Sequence, residues 1–265
     1  MSNDTVGKTV TVAVLLCLVC SVIVSGAAVM LKPVQIENKL LDKQKNILAA
    51  ADLLKDGISV KEAFKRIETK LVNVSEGRFA TDAELSSAGI TDLDAYDQRK
   101  AAKTPSVSIE VPGEIDIAGI RSRAKFATVY LLRDDKGGLE RLILPIHGYG
   151  LWSTLYGFVA LENDLDTVIG LGFYEHAETP GLGGEVDNPK WKATWPGKKI
   201  FDENGNVAME LKKGGVDFSK PEAIHQVDAL AGASLTSRGV TNLVRFWMGQ
   251  DGFGSFIETI RKEGV

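Results

Sequence analysis

The sequence predicts an α+β protein, a single N-terminal membrane-spanning helix followed by a mainly antiparallel sheet domain with packed helices. Three observations carry this. Residues 9–31 contain no charged side chain. Between residues 126 and 212, apolar runs alternate with the turn signals Asp-Asp-Lys-Gly-Gly, Asn-Asp and Asn-Gly. Val240, Leu243, Val244 and Trp247 then recur at the spacing of one helix face.

Taken in order, residues 1–8 read as a tail and 9–31 as the membrane helix. Its 23 positions span roughly 35 Å at about 1.5 Å per residue, against a bilayer core of about 30 Å. Ser25-Gly26-Ala27 resembles a signal-peptide cleavage site, but the apolar run continues through Val29, Met30 and Leu31. An uncleaved anchor is therefore expected. Lys32, Lys39, Lys43 and Lys45 outnumber Lys8, which by charge alone places the C-terminal part inside the cell. Long domains cross largely regardless of such charges, so topology stays open on this count.

Residues 32–105 are expected to be helical and irregular. A helix continues from the anchor over 34–54 and stops near Asp56-Gly57. Ser59 and Glu62 have capping-box spacing, introducing a short helix with Ala63, Phe64 and Ile67 on one face. Asn73-Val74-Ser75 matches a glycosylation sequon, a common chance pattern. Residues 77–103 are polar and irregular.

Residues 106–265 form the expected sheet domain. Residues 115–123 read as a short helix. Hairpins are expected from 126–133 with 139–146, from 155–161 with 168–174, and from 200–201 with 207–212. The last long helix starts near Ser234 and ends at Gly249 as its C-cap.

The 265 residues are 44% hydrophobic with a net charge of −4, enough to bury a core in one or two domains. No basic patch interleaves with aromatics, so nucleic acid is not an expected partner. Both cysteines, Cys17 and Cys20, fall inside the anchor, which excludes a disulfide framework after it. They read as small hydrophobes, with an intramembrane iron ligand as the sharper alternative. His147, His176 and His225 lack metal-ligand spacing, and no metal is expected.

Three small-residue segments look chemical. His147-Gly-Tyr-Gly-Leu-Trp152-Ser153 joins two glycines, a histidine and aromatics. Glu178-Thr-Pro-Gly-Leu-Gly-Gly-Glu185 packs three glycines after a strand. Neither completes a Walker A or G-x-G-x-x-G motif, and each also reads as a tight connection needing positive φ. The third, residues 228–240, runs small residues into Ser234, Thr236 and Ser237 at a helix start. There unsatisfied amides and the helix dipole attract phosphate. The same run also reads as an ordinary N-cap. A hydrolase built on Ser234 or Ser237 with His147 or His225 lacks a nucleophile elbow.

Together with the anchor and Tyr96-Asp-Gln-Arg99, these segments resemble the C subunits of the sodium-translocating NADH:quinone oxidoreductases (Nqr), a family with an FMN-binding domain related to the Rnf G subunit. The resemblance covers nearly the full chain. It implies FMN held by a phosphoester in a D-x-x-(S/T)-G-A-T pattern, attached by a flavin transferase that uses FAD as donor. Asp228, Gly232 and Ala233 take the corresponding positions and Ser234 the acceptor's, with Leu235 and Thr236 following. Ala231 replaces the usual Ser/Thr, Ser234 replaces Thr, and Thr236 is an alternative acceptor. The resemblance also sets Thr179, Gly181, Leu182 and Gly183 against the isoalloxazine ring, Trp152 near it, and His147 within reach of the phosphate.

By the same resemblance, the chain is an electron-transfer subunit and no enzyme alone. Its partners are the other Nqr subunits in a bacterial inner-membrane complex that oxidises NADH, reduces ubiquinone and exports Na+. Its flavin domain is periplasmic. A Rnf-type subunit, or an anchored ligand-binding or sensor domain without covalent flavin, is the alternative reading.

Overall fold

The computed structural model describes residues 5–263. The chain divides into two compact units, one through Lys43 and one from Gln44 onward. A single helix, α1 (Val6–Ala50), contributes to both. Residues 1–4 of the expected tail lie outside the described residues, and the helix takes in the rest from Val6. Its apolar window has a mean hydropathy of 2.8 with none of it buried, enough to cross a membrane by length and composition.

The helix stops at Ala50, short of the expected 54. Asp52 takes a left-handed φ of 53°, and the amide of Leu53 closes back on the carbonyl of Leu48 at 2.8 Å. Ser59 caps α2 (Val60–Phe64) by accepting from the amide of Glu62. The expected box is half formed, because the Glu62 carboxylate pairs with Lys65 at 2.7 Å. Ile67 does not continue that helix face. It begins β1 (Ile67–Asn73), which is followed by β2 (Arg78–Phe79).

Residues 77–103 are more ordered than expected. Thr81 and Glu84 form a complete capping box on α3 (Asp82–Ser87). Asp97 caps α4 (Gln98–Ala101). Asn73 of the sequon is buried and donates through Nδ2 to Glu84 Oε1 at 2.9 Å. It is thus a core residue and no surface acceptor.

The expected helix at 115–123 is absent. After β3 (Ser108–Glu110), the Asp116 carboxylate accepts from the amides of Ile120 and Arg121. Gly119 and Arg121 take φ of 65° and 63°. This run of turns leads into β4 (Ser122–Ala124), which pairs antiparallel with β3.

β5 (Phe126–Arg133), β6 (Leu139–Tyr149), β7 (Thr154–Glu162) and β8 (Val168–Glu175) form the expected two hairpins in one antiparallel meander. At the first turn Asp134 Oδ1 accepts from the amides of Lys136 and Gly138. At the second, Asp164 does the same for Asp166 and Thr167. The six-stranded order is β2-β1-β5-β6-β7-β8, so the sheet draws on residues before 106.

Both faces of the sheet are covered. Val129, Leu131, Leu142, Leu144 and Val159 enter one core, while Tyr130, Leu132, Ile143, Phe158 and Ala160 enter another with Ile47 and Leu48. Strict alternation between two buried faces explains why these strands read as continuous apolar runs.

Past the sheet, Asn188 caps the short α5 (Pro189–Lys192). The expected third hairpin shrinks to a bridge between Phe201 and Val207 around Asn204-Gly205. Instead, β9 (Glu210–Lys212) runs parallel to β10 (Gln226–Asp228). The final helices are α6 (Ser234–Met248) and α7 (Gly254–Glu263). Gly249 is the C-cap of α6, in extended rather than left-handed backbone. A Cβ on Gly148 would sit 2.5 Å from Leu243 Cβ, and one on Gly239 2.5 Å from the Tyr149 carbonyl. These two glycines let α6 lie directly on β6.

Candidate functional site

The three small-residue segments meet at one side chain, Glu178, which follows β8 and is 5% exposed. Its Oε1 accepts from the amides of Leu151, Trp152 and Ser153 at 3.0, 3.0 and 3.3 Å. Its Oε2 accepts from the Thr236 hydroxyl at 2.7 Å. Burial pushes the carboxyl pKa up, but the hydrogen bonds from Thr236 and the three amides outweigh it and hold the group below its ordinary range. The carboxylate is therefore ionised.

Glycines are required around it by close approach. A Cβ on Gly150 would fall 2.6 Å from Glu178 Oε1. One on Gly183 would fall 2.5 Å from Thr236 Oγ1 and 2.7 Å from Glu178 Oε2. Beneath the loop, the Glu178 amide donates to His176 Nδ1 at 3.2 Å, and His176 Nε2 bonds Asp187 at 2.9 Å.

The start of α6 presents three hydroxyls in different situations. Ser237 Oγ turns inward, accepting from the Leu230 amide and donating to the Ala233 carbonyl, each at 3.0 Å. Thr236 is 1% exposed and committed to Glu178. Ser234 is exposed, and its hydroxyl makes no hydrogen bond among the described residues. Ala233 occupies the N-cap without a side-chain cap. The amides of Ser234, Leu235 and Thr236 consequently lack a protein acceptor among the described residues. Gly232, at φ 73°, brings the chain into this turn.

An apolar rim borders that alcohol. Leu182 and Leu235 are exposed, and Trp152 is 65% exposed. A Cβ on Gly232 would lie 2.9 Å from Leu182 Cδ2. Gly181, at φ 74°, and the Thr179 carbonyl, which accepts from the amides of Leu182 and Gly184, shape this loop. A free alcohol, three acceptor-less amides and exposed apolar side chains suit a phosphorylated ligand with a flat aromatic ring.

Two expected contributors lie elsewhere. The Asp228 carboxylate accepts from the Val216 amide at 2.7 Å, and its carbonyl accepts from Trp191 Nε1 at 2.9 Å. Its side chain holds the 213–216 turn and not the Ser234 hydroxyl. The His147 ring is stacked on Tyr156 and packed 4.8 Å from Trp247. Trp247 is about 20 Å along α6 from Ser234 at about 1.5 Å per residue, so His147 does not reach a phosphate there. Burial, then Arg99, pushes the His147 pKa down to about 4.

Cys17 and Cys20 are exposed on α1. Among the described residues, no three His, Cys, Asp or Glu side chains gather as metal ligands. Sequence reasoning missed Glu178 as a site residue. The signal was an acid opening a glycine-rich loop, because glycines in such number cost conformational entropy unless a close neighbour needs their space.

Comparisons with known proteins cover this region and, for the full-length relatives, nearly the whole chain. Residues 150–249 match the family model described as FMN-binding domain. The chain is 53% identical to the C subunit of the Na(+)-translocating NADH-quinone reductase of Pseudomonas aeruginosa over 265 residues, 98% of each chain. It is 46% identical to the same subunit from Yersinia pestis, covering 98% of this chain and 95% of the relative. Among solved structures it is similar to NqrC of Shewanella oneidensis, with a TM-score of 0.75 and 38% identity over 85% of this chain and all (100%) of that one. The corresponding subunit from Parabacteroides distasonis gives a TM-score of 0.59 and 27% identity, covering 86% of this chain and 96% of that one.

Proposed function

This chain belongs to the family of C subunits of Na(+)-translocating NADH-quinone reductases, and from that premise we propose that it is the electron-transfer subunit of such a complex and carries FMN as a phosphoester on Ser234. The observation that carries the residue assignment is the exposed Ser234 alcohol, without a hydrogen-bond partner among the described residues, at a helix start whose first amides lack acceptors. Thr236 is the weaker acceptor, because its hydroxyl is buried and donates to Glu178.

The Ser234 oxygen would carry the FMN phosphate as an ester, with a flavin transferase using FAD as the donor. The amides of Ser234, Leu235 and Thr236 would hold that phosphate through hydrogen bonds and the helix dipole. Trp152, Leu182 and Leu235 would cover ring surface, and the 178–184 loop would offer main-chain groups to ring heteroatoms. FMN supplies one- and two-electron redox chemistry when bound, and the protein supplies tether, orientation and electrostatics.

The other Nqr subunits are the partners, and the complex oxidises NADH, reduces ubiquinone and exports Na+. Residues 9–31 of α1 anchor the chain in the inner membrane, and the unit from Gln44 onward, which contains the FMN-binding match at residues 150–249, faces the periplasm. A covalent tether suits a cofactor that must not diffuse away there. Co-expression with the transferase tests the reading. A denaturing gel should show flavin fluorescence on the wild-type band, none on Ser234→Ala, and fluorescence still present on Thr236→Val. Fluorescence persisting on Ser234→Ala contradicts the assignment, and a dark wild-type band favours a dissociable ligand.

A further inference from the structure

Glu178 is a buried carboxylate with four donors and no ion-pair partner among the described residues. For a merely structural link that arrangement is costly. An amide or hydroxyl can join two loops without carrying a charge into a site 5% open to water. The donors come from two places. Three are consecutive main-chain amides of the 151–153 turn, and the fourth is a side chain in the first turn of α6. One anion therefore fastens the segment bearing Trp152 to the segment bearing Ser234 and Leu235. Gly150 and Gly183 make room for it on either side.

The geometry points to Glu178 as a positioning residue that clasps the Trp152 turn to the first turn of α6 and, by its uncompensated negative charge, makes the adjoining flavin harder to reduce. The second half rests on the flavin reading above. The first half concerns this chain's own amides and stands without it. Added electrons are disfavoured by a fixed anion in a water-poor site, because the low effective dielectric leaves the repulsion weakly screened.

Two measurements on the full chain in detergent test this, with Glu178→Gln and Glu178→Ala as the variants. Gln keeps an oxygen for the three amides and presents its NH2 to the Thr236 oxygen, while removing the charge. In protein free of FMN, amide hydrogen exchange at Leu151, Trp152 and Ser153 should quicken by about tenfold or more in Glu178→Ala, as expected for losing hydrogen bonds to a charged group. Glu178→Gln should restore most of the protection. In flavin-loaded protein, Glu178→Gln should shift the midpoint potential upward. A purely structural role would leave that potential where it was.

Unchanged exchange in Glu178→Ala overturns the clasp, and an unchanged potential in loaded Glu178→Gln overturns the electrostatic half. Wild-type protein that takes up no flavin overturns the proposed function instead, and the exchange experiment then decides the clasp alone.

Discussion

Three alcohols stand within four positions at the head of α6, and only their partners tell them apart. Ser237 and Thr236 are occupied by internal hydrogen bonds and Ser234 is not. Thr236→Val should lower stability to chemical unfolding by about 1.5–3 kcal/mol, because Glu178 Oε2 then stays charged without its donor. That variant should still accept flavin. The hydroxyl cluster was legible in the sequence, but its ranking was not, since it depends on a residue in another loop. His147 illustrates the opposite error. The family resemblance implied a phosphate contact, whereas its ring lies against Tyr156 and Trp247. Its folded pKa of about 4 lies below the unfolded value. The unfolded chain therefore binds the extra proton first. Stability falls as pH drops from about 6.5 through 4, by about 3 kcal/mol in all. His147→Phe should flatten that part of a denaturation-against-pH curve.

At the scale of elements, β5 shows how side chains can replace a strand. Its ladder with β6 covers residues from Tyr130 onward. Beyond Ile143, β6 reaches Pro145, which has no N–H to give. On that stretch of β5, the Tyr96 hydroxyl donates to the Phe126 carbonyl at 2.7 Å, and Gln98 Oε1 accepts from the Thr128 amide at 2.9 Å. Gln98→Ala leaves that amide without its partner in a buried residue. It should cost about 1–3 kcal/mol in equilibrium unfolding. Gly148→Ala should cost a similar amount, about 1–3 kcal/mol, by pushing Leu243 and α6 off β6. Both hairpins were readable because each has a local turn signal between apolar runs. β1 was not, since Ile-Glu-Thr-Lys-Leu-Val-Asn alternates poorly and its partner β5 begins more than fifty residues later. The apparent helix at 115–123 failed because Asp116 draws two amides into turns, a local competition that periodicity does not register.

For the molecule as a whole, the sheet is a two-faced scaffold. One face packs on the end of α1, and the other carries α6. The loops after β6 and β8 then meet the start of α6 at Glu178. The long apolar helix and the motif segments were legible from composition and from the order of small residues. The anion that joins those segments was not, since long-range convergence leaves no periodic trace. The same scaffold reading predicts that Gly183→Ala, which drives a methyl into Thr236 and Glu178, should lower flavin attachment while the far-UV spectrum stays native. The central claim is the bond at Ser234, and mass spectrometry of the native membrane complex addresses it most directly. The tryptic peptide ending at Arg238 should carry the mass of FMN less one water, with fragment ions placing it on Ser234. The same peptide found wholly unmodified, or carrying the adduct on Thr236, would contradict the account.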